Sequence, residues 1–218
     1  MCGITGYVGD GIALDEGDAG AGDGTANDGG EMARVGDVVH EGLRNLEYRG
    51  YDSAGVALVG KSSGLTVAKR SGEVDNLTVP DVADATLGVG HTRWSTHGPP
   101  TDANAHPHTD CAGDVAVVHN GIVENHETLR EELRDRGHEF TSDTDTEVIP
   151  HLIEEELAAG RGEGDLLDAV RAVEGRLEGS YAICAVREGD DRIVVARRGS
   201  PLVLGRGDDA TFVAAAQH

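Results

Sequence analysis

Aromatic side chains are scarce in this chain of 218 residues: they make up 3% of it, with one Trp, two Phe and four Tyr. A core with so few large rings must be built from Val, Leu, Ile and Ala, and the length suffices for one large domain or at most two small ones. Lysine is nearly absent as well. Only Lys61 and Lys69 occur, the other cations are arginine, and 18 basic residues face 40 acidic ones for a net charge of −22. That balance excludes the clustered Lys and Arg that hold a phosphate backbone, so no nucleic-acid partner is expected. It argues equally against docking on an anionic membrane. No apolar run approaches the roughly 18 residues of a spanning helix, and the N-terminus lacks a basic region followed by an apolar one. Three cysteines, Cys2, Cys111 and Cys184, are odd in number and widely spaced, which makes no disulfide framework. The expected setting is a reducing, cytoplasmic one with free thiols, and Cys184 reads as a small buried apolar residue.

Carboxylates are what the chain has in excess. Many of them with almost no lysine suit a surface that stays soluble where salt screens charge strongly. The reading is adaptation to a high-salt cytoplasm; the blander alternative is a merely acidic protein with an acidic loop. Residues 9–31 hold seven acids, many Gly and Ala, and no Lys or Arg, which predicts a flexible acidic insertion over 10–30.

Around that stretch the apolar pattern alternates between two periods. Residues 3–8 read as a strand. From Met32 to Leu46, Val35, Val38, Val39, Leu43 and Leu46 recur at helical spacing. Strand-like runs follow at 53–59, 65–70, 87–92 and 114–119, the last ending on an Asn120-Gly121 turn signal. Helices are expected near 124–136, stopped by Gly137, near 146–159, opened by Thr144 and Glu147 at capping-box spacing, and near 164–177. Strands near 180–187, 192–197, 201–205 and 211–215 close the chain. Strands and helices come in blocks, so the fold class is α+β, with antiparallel sheets covered by helices. The last strand-like run reaches almost to His218 with no capping tail, as in a segment of something longer.

Four constellations carry chemistry, and each has a structural alternative. Removal of Met1 before a small residue would leave Cys2 as the N-terminal residue. A thiol with reference pKa about 8.5 would then sit beside an amine near 7.7–8.0, a nucleophile with its own base; equally, Cys2 could be a small buried residue opening a strand. In His91-Thr92-Arg93-Trp94-Ser95-Thr96-His97-Gly98, Arg93 can hold a carboxylate by two parallel bonds and Trp94 can close over a methylene stem, or the two can simply stack. Asn120 beside the Gly121 N–H can place two donors on one point, as an oxyanion requires, or form a hairpin turn. Asp145 can bind an ammonium group or cap a helix. Taken together the four describe a substrate with a carboxylate, an ammonium and an acyl carbon attacked by a thiol, and glutamine fits.

Met1-Cys2-Gly3-Ile4, Glu47-Tyr48-Arg49-Gly50-Tyr51-Asp52-Ser53-Ala54-Gly55, the Arg93-Trp94 block, Asn104-Ala105-His106-Pro107-His108, Asn120-Gly121 and Thr144-Asp145-Thr146-Glu147 occur in that order. This series resembles the class II glutaminase domain of the glucosamine-6-phosphate synthases, the isomerising glutamine–fructose-6-phosphate aminotransferases, over the whole chain except the acidic insertion. The resemblance implies a four-layer αββα sandwich of the N-terminal nucleophile type. It implies Cys2 as nucleophile with its amino group as base through a water, and Asn120 and Gly121 as oxyanion hole. Arg93 would take the glutamine α-carboxylate and Asp145 the α-ammonium. Trp94, Thr96 and His97 would lie on a closing loop, supported by Arg49 and His106. No cofactor is implied. The substrate is L-glutamine, and fructose 6-phosphate would be met only through sugar isomerase domains that lie outside residues 1–218. A homodimer of the full-length enzyme is compatible with the family. The competing enzyme reading is another class II amidotransferase, of the phosphoribosylpyrophosphate type. A further reading is a metal-binding module built on His91, His97, His106, His108 and His119; with no Cys-x-x-Cys and no His-Glu-x-x-His, no metal ligands are assigned.

Overall fold

A computed structural model of the chain describes residues 2–9, 12–13, 32–95, 98–160, 164–207 and 209–216. Strand β1 (Gly3–Val8) carries Cys2 at its head into the middle of a six-stranded sheet. Its antiparallel neighbours are β6 (Ala85–Arg93) and β12 (Thr211–Ala216), which set Gly3 opposite Thr92 on one side and Ala216 on the other. The sheet continues through β4 (Ser53–Gly60) and β5 (Gly64–Ser71) beyond β6, and through β11 (Val203–Arg206) beyond β12. A four-stranded antiparallel sheet holds, in order, β10 (Val194–Arg198), β9 (Gly179–Arg187), β8 (Val115–Val123) and β7 (His108–Thr109). The short strands β2 (Ile12–Ala13) and β3 (Met32–Ala33) pair with each other.

Alternation along the strands sorts the apolar side chains into three buried clusters. On β8, Val115 and Val117 turn toward the helices while Ala116 and Val118 turn toward the larger sheet; on β9, Ile183 and Ala185 alternate with Ala182, Cys184 and Val186 in the same way. Between the sheets, these small residues meet Ile4, Ala57, Val59, Leu87 and Val89. Cys184 lies in that layer, and burial pushes its thiol up to about 12. Helix α1 (Val35–Leu46) seals the outer face of the larger sheet with Val35, Val38, Val39 and Leu43. Helices α2 (His126–Asp135), α3 (Val148–Ala158) and α4 (Leu166–Glu174) cover the smaller one. The result is the four-layer αββα sandwich. None of the described helices is long and apolar enough to cross a membrane.

Three local expectations are revised. Asn120-Gly121 is not a turn: β8 runs on to Val123, with Gly121 opposite Tyr181 and Ile122 opposite Ser180. Thr144 and Glu147 do not form a capping box. Helix α3 begins at Val148, the Glu147 carboxylate folds back to accept the N–H groups of Thr141 (2.7 Å) and Ser142 (2.8 Å), and the Thr144 hydroxyl meets His108 Nε2 at 3.0 Å. Met32 and Ala33 belong to a strand, so α1 starts later than the periodicity suggests, with Asp37 accepting the Arg34 N–H. Most of the acidic insertion at 10–30, together with Thr96 and His97, lies outside the described residues.

Candidate active site

Cys2 sits where β1 enters the sheet, half-buried against the end of β6. Its sulfur accepts the Trp94 N–H at 3.2 Å, and the thiol faces the Trp94 carbonyl at 3.6 Å. Burial raises the thiol above its ordinary range; the Trp94 N–H, the positive N-terminus and Arg93 pull it down, and Asp145 pushes it up. A sulfur that feels all of these charges has both Arg93 and Asp145 within its electrostatic neighbourhood.

Asn120 reaches the same place from the other sheet. His91 Nε2 lies 3.0 Å from the His119 carbonyl and 3.0 Å from Asn120 Oδ1. A backbone carbonyl only accepts, so Nε2 carries the proton and the Asn120 atom facing it is the oxygen. The amide nitrogen is thereby turned toward Cys2, donating to the Cys2 carbonyl at 3.2 Å and the Ala215 carbonyl at 3.4 Å. The neighbouring Gly121 has φ +138, and a Cβ there would stand 2.0 Å from the Ser180 carbonyl oxygen. Only glycine lets β8 pass β9 this closely beside the amide.

Asp145 is buried in the turn before α3, and its Oδ2 accepts the Val123 N–H at 2.8 Å. Arg130 clamps that turn from α2, donating to the carbonyls of Ser142 (2.8 Å) and Thr144. Arg93, buried at the end of β6, donates to the carbonyls of Gly98 (3.3 Å) and Pro99 (3.4 Å). Burial lowers its pKa, against the raising influence of Cys2, Asp52 and Asp145. Trp94 is 43% exposed and meets Tyr51 edge-on at 5.4 Å. Arg49 lies over the Tyr48 ring at 4.8 Å. His106 stacks on His91 at 4.1 Å, and its Nδ1 accepts the His119 N–H at 3.3 Å.

The structure therefore gathers Cys2, Arg93, Trp94, Asn120, Gly121 and Asp145 around one corner, with His106 one ring behind Asn120. Several positioning residues were not singled out from the sequence. Asp52 accepts the Ser95 N–H at 2.8 Å and its own N–H reaches the Arg93 carbonyl at 3.1 Å, pinning the start of the loop after β6. Asn104 ties that loop to the turn of Asp145: Nδ2 donates to the Pro99 carbonyl (3.0 Å) and Oδ1 accepts the Asp143 N–H (2.9 Å). Gly55 makes room for the His106 carbonyl, which a Cβ would meet at 2.1 Å. Both blocks stand out as dense runs in the sequence, but their partners lie on other elements.

The histidines form a support rather than a ligand set. His91 donates to oxygens, His106 accepts a backbone N–H, and His108 and His119 meet the hydroxyls of Thr144 (3.0 Å) and Thr146 (2.7 Å). Burial lowers the pKa of all four, that of His91 to about 3. They are neutral at pH 7 and add no charge to the corner.

Comparison with known proteins gives this arrangement a family. The glutamine amidotransferase domain matches residues 91–218. Glutamine–fructose-6-phosphate aminotransferase (isomerising) of Halobacterium salinarum is 57% identical over 98% of the chain. The chain belongs to the glutamine amidotransferase domain family. The enzyme of the same name from Streptomyces coelicolor is 51% identical, again over 98% of the chain, and the chain spans 31% of the length of each of these relatives. Among solved structures, the allosteric regulatory enzyme of purine biosynthesis aligns with TM-score 0.73 at 25% identity, over 98% of this chain and 41% of that one. The Bacillus subtilis glutamine phosphoribosylpyrophosphate amidotransferase aligns with TM-score 0.71 at 24% identity, over 97% and 41%, a likeness of fold. The chain thus shares the fold of these two structures.

Proposed function

We propose that residues 1–218 form one glutaminase domain that hydrolyses L-glutamine to glutamate and ammonia through a Cys2 thioester. The observation that carries this is the convergence on Cys2 of a backbone N–H at its sulfur, the Asn120 amide at its carbonyl, and the opposite charges of Arg93 and Asp145 felt by its thiol. After loss of Met1, the Cys2 amino group takes the thiol proton through a water, and the sulfur attacks the side-chain carbonyl carbon. Asn120 Nδ2 and the Gly121 N–H hold the oxyanion. The same amine returns the proton to the departing nitrogen, ammonia leaves, and water cleaves the γ-glutamyl thioester, regenerating the thiol. Arg93 binds the α-carboxylate and Asp145, through its second oxygen, the α-ammonium. Trp94, Thr96 and His97 form the closing loop, with Arg49 and His106 in support.

In the relatives named as aminotransferases, ammonia would go to fructose 6-phosphate to give glucosamine 6-phosphate. For this chain that step requires isomerase domains outside residues 1–218, in a full-length enzyme compatible with a homodimer. The phosphoribosylpyrophosphate reading loses ground because identity to that group is about half that to the aminotransferases. The free cysteines and the acidic, lysine-poor composition support a cytoplasmic protein of a salt-adapted organism. The test is ammonia release from glutamine in molar KCl, with and without 6-diazo-5-oxo-norleucine. The expected result is turnover that stops with one label on Cys2; turnover without label at Cys2 would sink the assignment.

A further inference from the structure

A second cysteine–histidine cluster lies away from this corner, at the opposite end of β8 from Asn120. Cys111 is in the turn between β7 and β8, His138 follows α2, and His151 and Glu154 occupy successive turns of α3. Cys111 Sγ is 3.5 Å from His138 Nδ1 and 3.5 Å from His151 Nδ1. Glu154 Oε2 is 3.2 Å from His138 Nδ1 and 3.5 Å from His151 Nδ1, and the four atoms all lie within 4.8 Å of one another.

We propose that Cys111, His138, His151 and Glu154 form a four-ligand site for a divalent transition-metal ion of the zinc class. The four sulfur–nitrogen and nitrogen–oxygen distances match edges of a coordination tetrahedron, and the widest separation in the group, up to 4.8 Å, would close on binding. With Zn–S about 2.3 Å and Zn–N or Zn–O about 2.0–2.2 Å, a sulfur–nitrogen edge is about 3.5 Å and a nitrogen–oxygen edge about 3.4 Å. The surroundings fit as well. His138 Nε2 lies 3.5 Å from Glu155 Oε1; a proton there leaves Nδ1 a lone pair aimed at the cluster, the arrangement by which a carboxylate orients a ligating imidazole. In that tautomer Nδ1 and the Glu154 oxygen both present lone pairs, which one shared cation satisfies together. Glu154 is fixed by accepting the Cys111 N–H at 3.2 Å. His138 is fixed by the end of α2, where Gly137 N–H bonds the Arg134 carbonyl (3.0 Å) and His138 N–H the Leu133 carbonyl (3.0 Å), a Schellman closure.

A thiolate and two imidazoles select zinc, cobalt or a similar ion over calcium or magnesium, which favour oxygen-only shells. Binding displaces the Cys111 thiol proton to solvent; the sulfur, two Nδ1 atoms and one carboxylate oxygen then complete the shell. The rings are 11% and 2% exposed while Cys111 is exposed, so the ion enters past the sulfur. With four protein ligands the site is closed, hence structural. It fastens the β7–β8 turn to α2 and α3.

The test is titration of the chelator-stripped 218-residue chain with Co²⁺, then Zn²⁺, followed by absorption. One equivalent of Co²⁺ should give a thiolate-to-metal charge-transfer band and the intense visible absorption of a tetrahedral site, both erased by one equivalent of Zn²⁺. Cys2→Ala should keep the band. Cys111→Ser should lose it, and Glu154→Gln should keep it with affinity weakened at least about ten-fold. The proposal is overturned by a missing charge-transfer band, by a band that survives Cys111→Ser or disappears in Cys2→Ala, or by unchanged affinity in Glu154→Gln.

Discussion

Cys2 and Cys111 are both accessible thiols at the margin of a sheet, yet their neighbours differ in kind. Around Cys2 the sulfur's hydrogen-bond partners belong to a backbone, the Trp94 N–H and carbonyl, while Arg93 and Asp145 act on it only through their charges. Around Cys111 two imidazole nitrogens stand 3.5 Å from the sulfur, themselves in contact with a carboxylate, and the Glu139 backbone adds a hydrogen bond. A nucleophile needs open space and a donor that stabilises the thiolate without occupying it. A ligand needs other lone pairs converging on one point. The fold keeps these two chemistries at opposite ends of β8.

The sharpest way to break the comparison is to exchange the probes. Cys2→Ala should abolish ammonia release from glutamine and leave Co²⁺ binding intact. Cys111→Ala should lose the cobalt charge-transfer band and keep glutamine turnover at the wild-type level. If either substitution removes both properties, the two thiols do not act separately.

The histidines behind Asn120 should also make the fold sensitive to acid. The four histidines behind Asn120 have pKa values lowered from 6.5 by burial. In the unfolded chain they take up protons near 6.5, so the native state loses stability as pH falls below that value. Each contributes about 1.4 kcal/mol per pH unit until its own depressed pKa is reached. Urea unfolding in molar KCl should therefore show a steep loss between pH 6.5 and 5, a window above the reference range of carboxylates. A flat profile there would mean that the histidines are not held neutral.

Asn120→Ala tests the amide's orientation toward Cys2. Loss of one oxyanion donor should lower kcat by roughly 10²–10³ with a smaller change in KM. The buried His91 Nε2–H keeps the His119 carbonyl as acceptor, so the domain should stay folded by circular dichroism. A kcat within a few-fold of wild type would remove Asn120 from the reaction.

What was legible in the sequence follows the same division. The helical period of Val35, Val38, Val39 and Leu43, and the alternation in β8 and β9, reveal burial directly because each element carries its own pattern. Six site residues stand in short local blocks and could be read there. Asn120-Gly121 misled as a turn because the reason for the glycine is the Ser180 carbonyl, some sixty residues later on the neighbouring strand. Thr144 and Glu147 misled because their side chains bond backward, to His108, Thr141 and Ser142, instead of to the helix. The cluster at Cys111 was out of reach for the same cause. His151 and Glu154 are neighbours on one helix, but Cys111 and His138 join them only through packing.

The smallest expected effect lies in the surroundings of the proposed metal. Glu155 has two roles that can be separated. Its Oε1 faces His138 Nε2 at 3.5 Å, while its Oε2 pairs with the half-exposed Arg136 at 2.5 Å and lies 3.8 Å from Arg176. Glu155→Ala removes both and should weaken Co²⁺ affinity by about 10–100-fold, since the imidazole loses the acceptor that fixes its tautomer. Arg136→Ala removes only the surface pair and should change affinity less than about five-fold, the range of an exposed salt bridge. Equal effects of the two substitutions would show that Glu155 serves the surface alone and that His138 is oriented by the Schellman closure of α2 without it.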